Sequence, residues 1–554
     1  MERTGRLSNL NLGLIIFLLI LVGIMVRVYP NLDYHPVPGD YDVNMIYPTL
    51  HILDNGHELV PGEIETAEYT HGIYVATNDR TKSMLPSILC IVSGINGDQY
   101  FIFERFSLFA GVLLLPFSVL LLFKYLCRRN NKEISSIALV FLFSAAVFGN
   151  ATIIASSSSQ TVANTSAIEA SFLILAFYFL LRAKQNRVAA GLFMLIIICI
   201  TLLHRTSSMF LLCVLIMMLA TSLITKMRSQ KDIQQPYPVS LVITGIVIII
   251  AYYMYLGKNF FGSLISMVEE ILGDFNIADD PQIVNTYLIQ GSVNTQIFKA
   301  AVILASGFCL VYFLFYLSKR RYDLLGGYKI SLIFFAWLAA LIPFSLAMWA
   351  WAGLLGVFSR VTTYASVVSL IGLAIILSSY KRSPIGAKLI KIIMAISMVC
   401  SILIYLIPSQ PPVNRLTYAE NDATQWLSLE AHKDDVIFTD YRLCGPLTLS
   451  GFMLTMGALQ GVSESQVELA INDFKAIYYE NDTEKALSYM DNNPVNDEVA
   501  KYIFFSRRMS EVGVKELTWG AFKPPPEEFM NAFSNSKELN KIYDNNIGVI
   551  YIRK

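Results

Sequence analysis

A few ionisable residues stand out in a chain that otherwise carries few of them: Asp40 and Asp42 in Gly39-Asp-Tyr-Asp, Glu169, His204 with Arg205, and Arg360. Acids at i and i+2 point apart in a strand or on a helix. In a loop they can converge on a cation or on an incoming hydroxyl. The plainer role of an aspartate at such a place is to cap a helix. His204 ends an apolar run in Leu202-Leu-His-Arg-Thr-Ser-Ser. An imidazole there can donate to a phosphate or a sugar hydroxyl and titrates near neutrality. The alternative is an interfacial turn in which Arg205 snorkels to headgroups. Arg360 follows Trp349, Trp351 and Phe358. Its guanidinium matches phosphate in bidentate fashion, or else anchors an aromatic belt. Glu169, after the serine run 156–159, is a candidate acceptor or metal ligand, or a helix-start acid favoured by the dipole.

These groups have to be positioned by elements that live in lipid. The chain has 554 residues, of which 55% are hydrophobic and 15% charged; a soluble domain is nearer a quarter charged. Lys+Arg and Asp+Glu both number 42, so there is no basic signature for nucleic acid. The 7 cysteines form no metal-ligand or disulfide pattern. A span needs about 20 mainly apolar residues. By that test the sequence predicts about eleven transmembrane helices, near 10–28, 103–126, 134–154, 165–182, 188–204, 206–225, 239–256, 298–318, 328–350, 360–380 and 387–407. Basic clusters at Arg3/Arg6, Arg128/Arg129/Lys132, Arg182/Lys184/Arg187, Lys226/Arg228/Lys231, Lys319/Arg320/Arg321 and Lys381/Arg382/Lys388 fall at every second loop. Short basic loops stay in the cytoplasm. The expected protein is therefore a multi-pass protein of the cell membrane with its N-terminus inside and its C-terminus outside. Asp40, Asp42, Glu169, His204 and Arg360 then share the outer side, where an ionisable group near the bilayer core signals function. The sequons at Asn150, Asn164 and Asn481 fall on that side too.

The fold class expected is a polytopic α-helical membrane protein with a C-terminal extracytoplasmic α/β domain. Residues 1–408 form the membrane module, with a first outer loop at 29–102 and a second outer loop at 257–297. The first loop is acidic and holds His35, His51, His57 and His71, whose spacing fits no compact ligand motif. Within it 43–53 and 85–92 are expected as interfacial helices. After Pro408-Ser-Gln-Pro-Pro, residues 409–554 read as a soluble domain. Helices are expected at 421–429 and 464–478, and strands at 435–439, 501–506 and 547–552.

The layout resembles the GT-C superfamily of membrane glycosyltransferases, mannosyltransferase-like members above all. Arg27-Val-Tyr-Pro followed by Gly39-Asp-Tyr-Asp, and then a segment ending in Asn55-Gly56, resembles the family's first outer loop. His204-Arg-Thr-Ser resembles its His-x-Thr turn. Ser359-Arg360-Val-Thr-Thr-Tyr364 resembles its late-span arginine that faces the donor phosphate. The resemblance implies a polyprenyl- or dolichyl-phosphate sugar donor, a protein, glycan or lipid acceptor, and contact with membrane lipids. It implies Asp40 as general base with Asp42 second, and Arg360, His204 and Arg205 at the phosphate or sugar. It leaves a divalent cation, Mg or Mn, as the one candidate cofactor. The Trp-Trp-Asp signature of oligosaccharyltransferase catalytic subunits is absent, which points to transfer of a single sugar. The other functions weighed are a lipid-linked glycan transporter or flippase, a glycan polymerase or ligase using lipid-diphosphate donors, and a membrane-anchored binding protein.

Overall fold

The computed structural model describes residues 9–29, 34–38, 51–53, 55–57, 91–94, 106–150, 154, 166–228, 237–255, 304, 307–313, 328–356, 361–379, 385–406, 415–432, 435–439, 443, 447, 453–454, 483–484, 487, 500–509 and 528–553. The protein is mostly helical. In chain order α1 is Asn9–Val28, α2 Leu115–Arg129, α3 Ser136–Phe148, α4 Ser166–Arg182, α5 Arg187–Leu203, α6 Arg205–Arg228, α7 Val239–Tyr255, α8 Tyr328–Gly356, α9 Thr362–Ser379 and α10 Ile385–Leu406. A π-helical turn at Ala110–Leu114 leads into α2.

Four helical stretches, Asn11–Val28, Ala110–Arg129, Ser166–Ala183 and Arg205–Ile224, are long and apolar enough to cross a membrane; α3, α5, α7 and parts of α8 and α9 are apolar but shorter. Large apolar side chains such as Phe17, Leu195, Val247 and Ile342 lie exposed on these helices. Lipid, not water, is the solvent that accepts such a surface, since each helix satisfies its own backbone. The chain is an integral membrane protein.

Local sequence explains the helix ends. Ser135 caps α3 by accepting from Ala138 N, and Asn186 caps α5 by accepting from Val188 N. The expected span 134–154 stops early because α3 closes at Gly149, whose N–H returns to Ala145 O. The span expected at 328–350 runs on to Gly356. Of the span expected at 298–318, the described part is residue 304 and 307–313.

Side-chain contacts tie the two ends of the bundle together separately. At one end Asn130 donates to Ser378 O over 3.5 Å. There too Arg182 reaches the Tyr178 hydroxyl at 2.8 Å and lies 5.9 Å from the Tyr125 ring. At the other end Arg27, 1% exposed, donates to Gly23 O at 3.0 Å and to Val147 O at 2.8 Å. The carbonyl of Val147 is one of those a helix terminus leaves unsatisfied, so the buried cation closes α3. Asn150 donates to Thr362 O at 3.2 Å and is 5% exposed. Asn150, the first residue of that sequon, is thus packed between helices. Asn164 and Asn481 lie outside the described residues.

The C-terminal residues build a five-stranded mixed sheet: β3 (Val436–Phe438), β4 (Met453–Leu454), β5 (Ala500–Ser506), β6 (Leu539–Asp544) and β7 (Gly548–Arg553), in the order β4-β3-β5-β7-β6. β3 pairs in parallel with β4 and β5, while β7 pairs antiparallel with β5 and β6. Its core, with Ile503, Phe504, Phe505, Ile550 and Tyr551, is separate from that of the bundle. Helix α11 (Tyr418–Glu430) packs on it, and α12 (Glu528–Ser534) precedes β6. The strands expected at 435–439, 501–506 and 547–552 and the helix at 421–429 meet β3, β5, β7 and α11. The helix expected at 464–478 and most of both outer loops lie outside the described residues.

One small sheet joins the two parts. β1 (Tyr34–Pro38), just after α1, pairs antiparallel with β2 (Arg415–Thr417), Tyr34 opposite Thr417 and Pro38 opposite Arg415. Thr417 then caps α11 in a capping box with Glu420. The Glu420 carboxylate is fully buried; Arg508 Nη1 donates to its Oε2 at 2.6 Å and Ser506 Oγ to its Oε1. A buried pair of this kind stands only when its remaining lone pairs are met, as they are here.

Two measurements check this account. A Cβ on Gly372 of α9 would stand 2.8 Å from both Phe313 and Phe334, rings that already pack edge to face. Gly372→Ala is therefore expected to lose about 1–3 kcal/mol through overpacking, read as a lowered thermal midpoint in detergent. For Asp544, burial pushes the carboxyl up, but bonds from Lys541 and from the Asn546 N–H, with the Arg507 and Lys541 charges, outweigh it and hold the group below its usual 3.8. A depressed acid stabilises the fold above its unfolded pKa, and that stabilisation is lost as pH falls through the folded value. Melts of the wild type below pH 4 should therefore drop more steeply than those of Asp544→Asn.

Candidate active site

Several of the residues singled out in the sequence lie at the end of the bundle opposite Arg182. Glu169 lies in the first turn of α4. His204 is the C-cap of α5, its backbone extended at φ −162° and ψ 133°, and Arg205 opens α6 directly after it. This break turns the chain sharply between two long apolar helices. Its polar groups are met locally: Ser208 Oγ donates to His204 O at 3.0 Å and Ser207 Oγ to the same oxygen at 2.9 Å. Ser207 and Ser208, just after Thr206, thus serve to satisfy the turn.

Three helices meet here through side chains. His204 Nδ1 stands 3.2 Å from Glu169 Oε1, and the Tyr364 hydroxyl donates to Glu169 Oε2 at 2.8 Å. Glu169 is 2% exposed, His204 6% and Tyr364 1%. Tyr364 sits in the first turn of α9. Its ring is stacked on Phe210 of α6, centroids 4.9 Å apart and planes 20° from parallel, and Phe344 of α8 meets it edge-on at 5.0 Å. Trp337 continues the aromatic layer below, 6.1 Å from Phe210 and 5.4 Å from Phe177.

This arrangement can orient an imidazole. A carboxylate beside Nδ1 favours the tautomer with the proton on that nitrogen, which leaves Nε2 as the acceptor. Charge and dipoles held in a water-poor site act more strongly than in bulk. Both Glu169 oxygens face protein groups, so the geometry fits a positioning role better than metal ligation. Among the described residues no group of three or more His, Cys, Asp or Glu converges. His51 and His57 meet ring to ring, centroids 5.3 Å apart, away from any such cluster. A recess between α3, α9 and α10, lined in part by Asn150, Ser366, Ser369 and Ser397, offers about 10 Å³ of water-sized space. That is room for one water and too little for a sugar.

Of the residues singled out in the sequence, Glu169 and His204 are brought into contact, with half-buried Arg205 next in the chain. Asp40, Asp42 and Arg360 lie outside the described residues; β1 ends just before Gly39-Asp40, and α9 starts just after Arg360. Tyr364 is a polar member of the cluster that spacing did not mark. Its one signal was its place in the Arg360-Val-Thr-Thr-Tyr segment.

No known protein family matches the sequence, and no curated protein matches it. Solved structures similar to the chain include the oligosaccharyltransferase of Archaeoglobus fulgidus in its apo form, at 11% identity and TM-score 0.49, covering 90% of this chain and 70% of that one. Another is AglB of the same organism in complex with an inhibitory peptide and a dolichol-phosphate, at 12% identity, TM-score 0.47 and the same coverage. A third is ArnT from Cupriavidus metallidurans bound to undecaprenyl phosphate, at 11% identity and TM-score 0.47, covering 97% of each chain. At TM-scores below 0.5 these likenesses do not fix what the chain does, and its function rests on its own residues.

Proposed function

We propose that the chain is an inverting membrane glycosyltransferase that moves a sugar from a polyprenyl-phosphate donor to an acceptor hydroxyl at the extracytoplasmic face. The observation that carries this reading is the buried Glu169–His204–Tyr364 contact at the bundle end opposite Arg182. A membrane protein keeps a carboxylate and an imidazole at such a place for chemistry or for a pathway, and the sequence places Asp40 and Arg360 beside the segments that lead to it.

The acceptor oxygen attacks the anomeric carbon as the bond from that carbon to the phosphate oxygen breaks. The electron pair leaves with the phosphate, and the acceptor proton passes to Asp40, with Asp42 as the second acid. Arg360 meets the charge that grows on the phosphate. His204, held by Glu169, donates to phosphate or sugar, and Arg205 adds charge beside it. One displacement inverts the anomeric centre. A divalent cation, Mg or Mn, would be held by Asp40 and Asp42 and would shield the donor phosphate. Residues 409–554 form an extracytoplasmic domain available to the acceptor, which is a protein, glycan or lipid.

The reading is tested in membranes given a labelled polyprenyl-phosphate sugar. A positioned general base contributes about 10²–10⁴-fold, so Asp40→Asn should lose transfer by that order, with the wild-type amount of protein present. His204→Ala should lose about tenfold or more. Transfer undiminished in both variants, or lipid-linked sugar moved across the bilayer without transfer, would remove the assignment.

A further inference from the structure

The geometry points to Tyr364 as a positioning residue that sets His204 through Glu169. This rests on the functional reading above and deepens it. Three observations carry it. The first is the direction of the contacts. Tyr364 and His204 take opposite oxygens of one carboxylate, Oε2 at 2.8 Å and Oε1 at 3.2 Å, so the torsion of Glu169 is set from one side and read out on the other. A carboxylate held by a single partner can swing about its last bond, because that torsion is broad. With Oε2 anchored by the Tyr364 hydroxyl, Oε1 is left facing the imidazole, with Nδ1 at ion-pair distance.

The second observation is the rigidity of the hydroxyl itself. Tyr364 is clamped between the Phe210 face and the Phe344 edge, and its ring is 1% exposed. Phe210 belongs to the same helix that His204 and Arg205 open. The tyrosine therefore registers α9 against the very turn that carries the imidazole. The third is the place of Tyr364 in the chain, in the first turn of α9 and a short way after Arg360 in sequence. Displacement of α9 along its axis would move the hydroxyl off Glu169. The contact thus reports to His204 where the first turn of α9 stands, and makes imidazole orientation conditional on that helix being seated.

A packing role for Tyr364 resides in its ring, whereas positioning resides in its hydroxyl, and Tyr364→Phe separates the two. Partners behind a functional imidazole are worth about 10–100-fold when removed. The full-length protein is assayed in membranes with a labelled polyprenyl-phosphate sugar, and kcat and KM are measured separately. Y364F is expected to lower kcat about tenfold, with KM for the donor changed less than about threefold and the thermal midpoint of the purified protein close to wild type. Because the hydroxyl acts through Glu169, Y364F added to Glu169→Ala should cost nothing beyond E169A alone. Wild-type kcat in Y364F overturns the proposal, as does a double variant whose loss is the product of the two single losses. If Y364F does not accumulate, E169Q replaces it: the amide oxygen still accepts from Tyr364 while the charge facing His204 is gone, and wild-type kcat there overturns the proposal equally. A wild-type chain with no transfer from any polyprenyl-phosphate sugar overturns the functional reading and this proposal with it. An active wild type with an unaffected Y364F overturns the proposal alone.

Discussion

A carboxyl group buried inside a bundle of apolar helices must be paired or neutral. Removing it from water costs several kcal/mol even after relaxation, and lipid offers no donor. Glu169 sits at 2% exposure in the first turn of α4, and its environment answers that cost from two directions, with an imidazole and a phenol. That demand constrains the surrounding fold. It requires α5 to stop at His204 instead of running into α6, so that the ring can turn toward α4. It requires α9 to begin at the same level, so that Tyr364 faces the same acid. The aromatic layer of Phe210, Phe344 and Trp337 then fills the space that a tilted or shifted helix would leave open.

The same logic recurs in the C-terminal sheet. Glu420 is another fully buried acid, and it is satisfied by Thr417, Ser506 and Arg508 together. There the donors come from the residue that caps its own helix and from the end of β5. The effect is to fix the angle at which the chain leaves β2 for α11. In both cases a costly charge specifies a geometry that apolar packing alone would leave degenerate, because apolar contacts are non-directional.

Much of this was legible in the amino-acid order, and the reason is periodicity. Long apolar runs bounded by basic residues set 165–182 and 188–204 close to Ser166–Arg182 and Arg187–Leu203, because lipid permits only helices. The short apolar runs Lys501–Ser506 and Ile547–Ile552 read as strands in the water-exposed domain. Glu169 and His204 were visible as charges in apolar surroundings, but their contact was not. It joins one helix start to the end of the next helix, and no spacing rule links those positions. Tyr364 was harder still, since a tyrosine at the head of an apolar helix is an ordinary interfacial residue. Asn150 shows a further limit: nothing in its sequon signals that its amide is spent on Thr362 O. β1 and β2 were also missed, because three to five residues with prolines at 36 and 38 carry no alternation to read.

That two-stranded sheet has a consequence for biogenesis. Its strands come from opposite ends of the membrane module, one emerging straight after α1 and the other after α10. A ribosome releases the first long before the second, so Tyr34–Pro38 must wait through the insertion of every intervening helix with an open edge. Open edges invite wrong partners, and prolines at positions 36 and 38, which lack an N–H, make this one a poor template meanwhile. The nascent protein is thus blunted against premature pairing, and a chain that stops short of β2 keeps that edge without its partner strand.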